Sequence, residues 1–374
     1  MISNINIEGY RGLREFSLNK LGRVNLLVGA NNCGKTSILE AIQILASAGD
    51  PLSLADGVIR RGERISDSIR RRNGISADHD LSHLFYGHEV APGQEFTIST
   101  DEKCTLGGVT VHVQEINRLE HSRQSSLPFE SGSDDALDAP AWALNVDWTH
   151  HDFPTFELPI NSFGGVSFDS LRRYPRRRFE TSIPVRHIST SGLSIEAVVQ
   201  MFEDLVLTPE EGLAVDALRT IEPTIERLAT VSANRRSSYP GERGGFVVKL
   251  TNFDQRVPIG SMGDGMWRML GLALALVNAE GGILLVDEID TGLHYTVMDQ
   301  MWRLLSEGAR KLSVQVFATT HSRDCYESLA TIAHPDVSDG SEVTVQRIEA
   351  GRSSSVSFTE QEIVAAAERG MEVR

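Results

Sequence analysis

The chain has 374 residues, 40 % of them hydrophobic, and a formal net charge of −15. That size and balance fit a globular protein with one large core or two modest ones, and the acidic excess argues against a nucleic-acid surface running over the whole chain. No apolar run is long enough to span a bilayer, and Met1-Ile2-Ser3-Asn4-Ile5 leads straight into an alternating pattern, so neither a signal peptide nor a transport channel is expected.

In chain order, Ile5 and Ile7 alternate with polar residues and predict a half-buried strand. Residues 23–28 form a short apolar strand ending at Gly29. Residues 36–48 follow as a helix with Ile38, Leu39, Ile42 and Leu45 on one face. From 51 to 184 short strand-like runs, such as 109–114 and 156–159, are separated by turn residues, and the polar stretch 122–139 reads as a surface loop. Two helices are expected at 194–205 and 209–221. For the second, Thr208 is the expected N-cap, Pro209 opens the first turn and Glu211 closes a capping box. Residues 246–251 predict a strand, and 266–279, almost wholly apolar, a buried helix. Residues 283–286 and 312–319 predict two more strands, both buried. Sustained heptads are missing, so no long coiled-coil arms are expected.

The cysteines, Cys33, Cys104 and Cys325, lie far apart and form no CxxC pair, which gives no support to a zinc site or a disulfide framework and fits a reducing cytoplasm. Of the five lysines, Lys35 stands in a glycine loop. Arginines cluster at Arg60-Arg61, at Arg70-Arg71-Arg72 and between Arg172 and Arg178, and charge runs of this kind are expected to be solvated surface.

Four segments carry chemistry. Gly29-Ala30-Asn31-Asn32-Cys33-Gly34-Lys35-Thr36, between a strand and a helix, is a GxxxxGK[ST] phosphate loop. Its glycines let backbone N–H groups wrap a triphosphate, Lys35 reaches the β- and γ-phosphates, and Thr36 offers a hydroxyl to Mg²⁺. Cys33 is the small residue that such a turn accepts. Asp287 and Glu288 follow the buried strand at its carboxyl end, where open α/β sheets bind ligands. Asp287 is expected to hold Mg²⁺ and Glu288 to polarise the attacking water. Ser261, Gly263 and Gly265 precede the apolar helix and present a hydroxyl and bare amides to a γ-phosphate, with Asp264 adding an acid nearby. His321, in Thr319-Thr320-His321-Ser322, ends a strand where an imidazole can sense the γ-phosphate.

In this order the segments resemble the ABC-type ATPase heads of the RecF, SMC and OLD group. Tyr10-Arg11 resembles the group's opening motif, whose arginine approaches the nucleotide, and Asn31-Asn32 resembles the GxNNxGK loop of OLD-type and anti-phage ATPases. The signature departs from the transporter LSGGQ, and no glutamine is assigned to the Q-loop. The resemblance implies an α/β P-loop NTPase with a mixed sheet and a small helical lobe, divided as 1–185, 186–260 and 261–374. It implies ATP and Mg²⁺ as cofactors, and Ser37 joins the nucleotide-binding set as the next residue of the loop. It implies a nucleotide-sandwich homodimer in which Ser261, Gly263 and Gly265 face the other subunit's ATP and Asp290 lies at the seam. The expected function is ATP hydrolysis that controls a separate effector or sensor protein, in phage defence. Two alternatives are a RecF-like repair ATPase that binds DNA, and a scaffold that binds ATP without hydrolysing it. No Toprim nuclease acids are visible near the end of the chain.

Overall fold

The computed structural model describes residues 1–47, 50–65, 79–101, 104–116, 142–149, 156–166, 171, 183–231, 245–333 and 342–369. The arginine clusters at 70–72 and 172–178, the polar stretch 122–139 and residues 370–374 lie outside these.

A central sheet runs in the order Val185–Ile188, Ile283–Val286, Gln315–Thr319, Val24–Val28, Val343–Arg347, Val356–Phe358. All neighbours pair in parallel except the last strand, which is antiparallel. The strands Val24–Val28, Ile283–Val286 and Gln315–Thr319 are buried at every position, as parallel strands covered on both faces require. Alternate side chains therefore feed two cores. Leu27, Leu285 and Phe317 face one, and Leu26, Val286 and Val316 the other. The polar residues among them are bonded. Gln315 accepts from the Ile2 N–H and donates to the Ile2 carbonyl, both at 2.8 Å, which ties the chain's start to the sheet.

The first core is closed by a six-stranded antiparallel sheet in the order Leu13–Leu18, Ile5–Tyr10, Glu95–Thr100, Gly108–Glu115, Trp142–Trp148, Phe156–Ile160. The second is closed by the helices Asp264–Val277, Met298–Lys311 and Arg323–Leu329. Beside it stand Ile195–Glu203, Glu211–Arg219 and a three-stranded antiparallel sheet, Ile225–Thr230, Phe246–Leu250 and Arg256–Pro258. The longest helices described have 14 residues. None is long and apolar enough to cross a membrane.

Two expectations need correction. The helix Glu211–Arg219 starts without a side-chain cap. Thr208 donates instead to the Leu205 carbonyl, and the Glu211 carboxylate accepts from the Leu207 N–H. The turn before the helix, not its own first amides, takes up both groups, so no Thr208–Glu211 capping box forms. The helix after the phosphate loop, Lys35–Ala46, is not one-sided either, because it lies between the two sheets and every residue except Thr36 is buried. Its polar residues are held by distant partners. Glu40 pairs with Arg11 at 2.8 Å and Arg61 at 2.9 Å. Gln43 bonds Asp56, Arg60 and His187. Arg60 and Arg61 are exposed, as expected, yet both guanidiniums are tied inward. Arg11 and Glu40 are each only 3 % exposed. Removing one partner of a buried pair leaves the other charge uncompensated, so Glu40→Ala should lower the unfolding free energy by about 3 kcal/mol, read as a lower urea midpoint at unchanged slope.

Candidate active site

Three of the four motifs meet because their strands are neighbours. Val24–Val28 runs into Gly29, Gln315–Thr319 into Thr320 and His321, and Ile283–Val286 into Asp287 and Glu288, with all three carboxyl ends on one edge of the sheet. In open parallel sheets this edge is where ligands bind.

The phosphate loop needs its glycines. At Gly29, with φ +145°, a Cβ would stand 2.3 Å from the Ile348 carbonyl oxygen. Gly34, with φ +101°, ends the loop as N-cap of Lys35–Ala46. Asn31 and Asn32 are exposed, and Asn32 is left-handed at φ +61°. Cys33 is buried, its sulfur 3.8 Å from the Lys35 amine. The Lys35 amine donates to the carbonyls of Gly29 and Ala30, both at 2.8 Å, and lies 3.5 Å from His321 Nδ1. Burial pulls its pKa down, while the Cys33 thiol, Asp287 and Glu288 oppose the shift.

Asp287 is the hub. Its carboxylate accepts hydroxyl bonds from Thr319 at 2.6 Å, Thr36 at 3.1 Å and Thr190 at 3.2 Å. One carboxylate ringed by hydroxyls, the Thr36 hydroxyl among them, is a hard oxygen set of the kind that Mg²⁺ shares with substrate phosphates. Glu288 is left-handed at φ +45°, a conformation that costs a non-glycine residue energy unless its surroundings enforce it. Two contacts do so. The Glu288 N–H donates to Thr319 Oγ1 at 2.8 Å, and its carbonyl accepts from Arg268 Nη2 at 2.8 Å. Its side chain touches only the Thr291 hydroxyl, at 3.4 Å, among the bonds described. Asp290, one turn on, accepts from Thr320 at 2.6 Å.

Ser261, Gly263 and Gly265 stand apart from this cluster, at the start of the helix Asp264–Val277. Ser261 is exposed and donates to the Pro258 carbonyl at 2.7 Å. Gly263, at φ +95°, borders open space. Gly265 lies against Gly292, in the loop after the acidic pair.

Beside the phosphate loop a cavity of about 760 Å³ opens, lined in part by Arg11, Asn32, Cys33, Gly34 and Ser37. Arg11 thus borders the site expected for it, but its charge is shared between Glu40 and Glu63, each at 2.8 Å. Ser37 accepts from Arg61 at 3.4 Å.

Sequence reading gave no role to Thr190, to Arg268 or, within its motif, to Thr319. Arg268 is 8 % exposed within the apolar helix, and its Nη2 also reaches the Asp287 carbonyl at 3.1 Å. Burial lowers its pKa, against the pull of Asp290, Asp287 and Glu288. A lone arginine inside an apolar run was the available signal, since a fully buried arginine must be paired.

The family model described as "AAA domain, putative AbiEii toxin, Type IV TA system" matches residues 24–324. A Helicobacter pylori protein named "ATP/GTP phosphatase" is 22 % identical over 356 residues, 88 % of this chain and 87 % of its own. The "DNA replication and repair protein RecF" of Pseudomonas savastanoi pv. phaseolicola is 45 % identical over 47 residues, 13 % of each chain. Among solved structures, an SMC head bound to the C-winged helix domain of ScpA has a TM-score of 0.47 at 13 % identity, covering 96 % of this chain and 98 % of that one. The SMC head domain of Thermotoga maritima has a TM-score of 0.45 at 12 % identity, with 96 % and 98 % covered.

Proposed function

Because the chain belongs to the family described as "AAA domain, putative AbiEii toxin, Type IV TA system" and is an ABC-type ATPase head of the RecF and SMC kind, we propose that it hydrolyses ATP as a nucleotide-gated homodimer controlling a separate effector. The observation that carries this reading is the meeting of Lys35 and Thr36 with His321 and Asp287, residues more than 250 positions away. The name "ATP/GTP phosphatase" of the H. pylori relative supports triphosphate hydrolysis.

In this reading the Lys35 amine leaves the Gly29 and Ala30 carbonyls for the β- and γ-phosphates, and the loop amides bind the rest of the phosphate chain. Thr36 and Asp287 would hold Mg²⁺, which neutralises charge on the phosphates when bound. Glu288 orients a water for in-line attack and takes its proton, and His321 hydrogen-bonds the γ-phosphate. Ser261, Gly263 and Gly265 cap the triphosphate held by the other copy. Arg268 then has a positioning role, because it sits on the helix that begins at this signature and grips the backbone of both acids. Arg268→Ala should lower kcat at least tenfold, by roughly the 1.5–3 kcal/mol of a charged hydrogen bond. ATP affinity should stay within about twofold, since Arg268 touches backbone behind the acids and not the phosphate loop. Equal losses in kcat and affinity would mean a general structural role.

The effector and the phage-defence setting rest on the family description, which names a "putative AbiEii toxin, Type IV TA system". Co-purification from the native operon, with wild type and Glu288→Gln, tests them. A partner retained in a nucleotide-dependent way is expected. A chain that purifies alone in both states, and whose deletion leaves phage sensitivity unchanged, would remove the defence reading. A DNA-repair role is the second reading, favoured by the 47-residue match to RecF. It requires DNA-stimulated hydrolysis and binding that weakens steeply with salt.

A further inference from the structure

The cavity beside the phosphate loop is walled on one side by Asn32, Cys33, Gly34 and Ser37, whereas Lys35, Thr36, Asp287 and His321 are absent from its walls. It therefore lies on the side of the loop away from the acids. A triphosphate whose γ-phosphate meets Lys35 and His321 must send its nucleoside the other way, into this space.

An aromatic ring is waiting there. Tyr86 lines the cavity and is 48 % exposed. Its neighbours Tyr10 and Phe85 are buried, and Phe16, the other phenyl ring in the wall, is 2 % exposed. The Tyr86 backbone is fixed nonetheless, because its N–H donates to the Gly9 carbonyl at 2.8 Å and Tyr10 bridges to Phe85 beside it. An aromatic side chain on a fixed backbone, left half-open to a cavity, can offer its face to a flat ligand. The cavity is also lined by Arg14, Glu15, the exposed imidazole of His88, and Arg352, which pairs with Glu349.

We infer that Tyr86 is the stacking wall of a nucleobase site continuous with the phosphate loop, and that this site takes nucleoside triphosphates by the face of the base rather than by its edge. The inference rests on the nucleotide reading of the loop. Stacking is tolerant of base identity, because every base has a π-face. Tyr86 should thus contribute equally to ATP and GTP and nothing to a ligand without a base.

Titration calorimetry with ATP, GTP and inorganic tripolyphosphate, on wild type, Tyr86→Ala and Tyr86→Phe, tests this. Tyr86→Ala should weaken ATP and GTP by about tenfold each, the usual loss for one stacking ring, and leave tripolyphosphate unchanged. Tyr86→Phe should bind all three like wild type. ATP affinity unchanged in Tyr86→Ala would overturn the assignment. So would an equal loss for ATP and tripolyphosphate, which would mean that Tyr86 acts through the fold. Wild type binding neither nucleotide but still binding tripolyphosphate would remove the base site alone, whereas binding none of the three would remove the nucleotide reading beneath it.

Discussion

Lys35→Ala is expected to abolish measurable ATP binding, and Glu288→Gln to keep binding while losing at least about a hundredfold in kcat, the usual contribution of a positioned general base. The two residues fail differently because of where the structure holds them. The Lys35 amine is 2.8 Å from each of two loop carbonyls, so the cation sits inside the loop that would wrap the phosphates. Alanine removes a phosphate contact and leaves both carbonyls facing the ligand's negative charge. Glu288 has its backbone fixed by Thr319 and Arg268 but its carboxylate held only at 3.4 Å by Thr291. Glutamine keeps that scaffold and loses only the ability to accept a proton. Bound ATP should then persist, and with it the proposed ATP-bound dimer. Calorimetry reads the affinities, phosphate release the rate and gel filtration the dimer. Equal ATP affinity in wild type and Lys35→Ala would sink the site assignment.

What could be seen in the sequence was whatever lies in one short stretch. The phosphate loop, the acidic pair and the histidine are contiguous motifs, each set at a strand end by a local apolar run, so their chemistry and their strands could be read together. Their meeting depends on parallel neighbours far apart in the chain, and that came through the order of the motifs rather than from any single residue. The hydroxyl ring around Asp287 was hidden because Thr190 and Thr319 are ordinary residues until pairing brings them to one carboxylate. The all-round burial of Lys35–Ala46 was hidden for a related reason. Periodicity takes Glu40 and Gln43 for a wet face, but Arg11, Asp56 and His187 come from other elements to satisfy them. In the six-stranded antiparallel sheet Ile5–Tyr10 announced itself by alternation, and Gly108–Glu115 and Phe156–Ile160 as the strand-like runs 109–114 and 156–159; the other three strands are short, with uneven connections, and stayed hidden.

A mixture of Lys35→Ala and Ser261→Arg chains is expected to recover ATPase activity that neither variant has alone. In the proposed two-fold dimer each composite site would take its phosphate loop from one copy and its signature from the other. In a mixed dimer one site carries both lesions. The other pairs the intact loop of the Ser261→Arg chain with the intact signature of the Lys35→Ala chain. Random pairing at equal amounts makes half the dimers mixed, so about a quarter of the wild-type sites are restored. The placement of the signature makes the test sharp. Ser261 is exposed and turned to the Pro258 carbonyl, and Gly263 borders open space, so an arginine at 261 can be accommodated in the monomer and should leave the fold intact. Its harm should fall on whatever docks there, and the proposal is that a second copy's triphosphate does. Full loss in the mixture, with crosslinking showing that mixed dimers formed, would mean either that both sites must fire together or that the signature does not act across the seam. A mixture of Lys35→Ala with the double variant Glu288→Gln/Ser261→Arg separates these. If mixed dimers trap ATP, the double variant's loop has met the signature of the Lys35→Ala chain, so the geometry across the seam is right and the two sites are coupled; if they trap none, the signature belongs to its own chain's site.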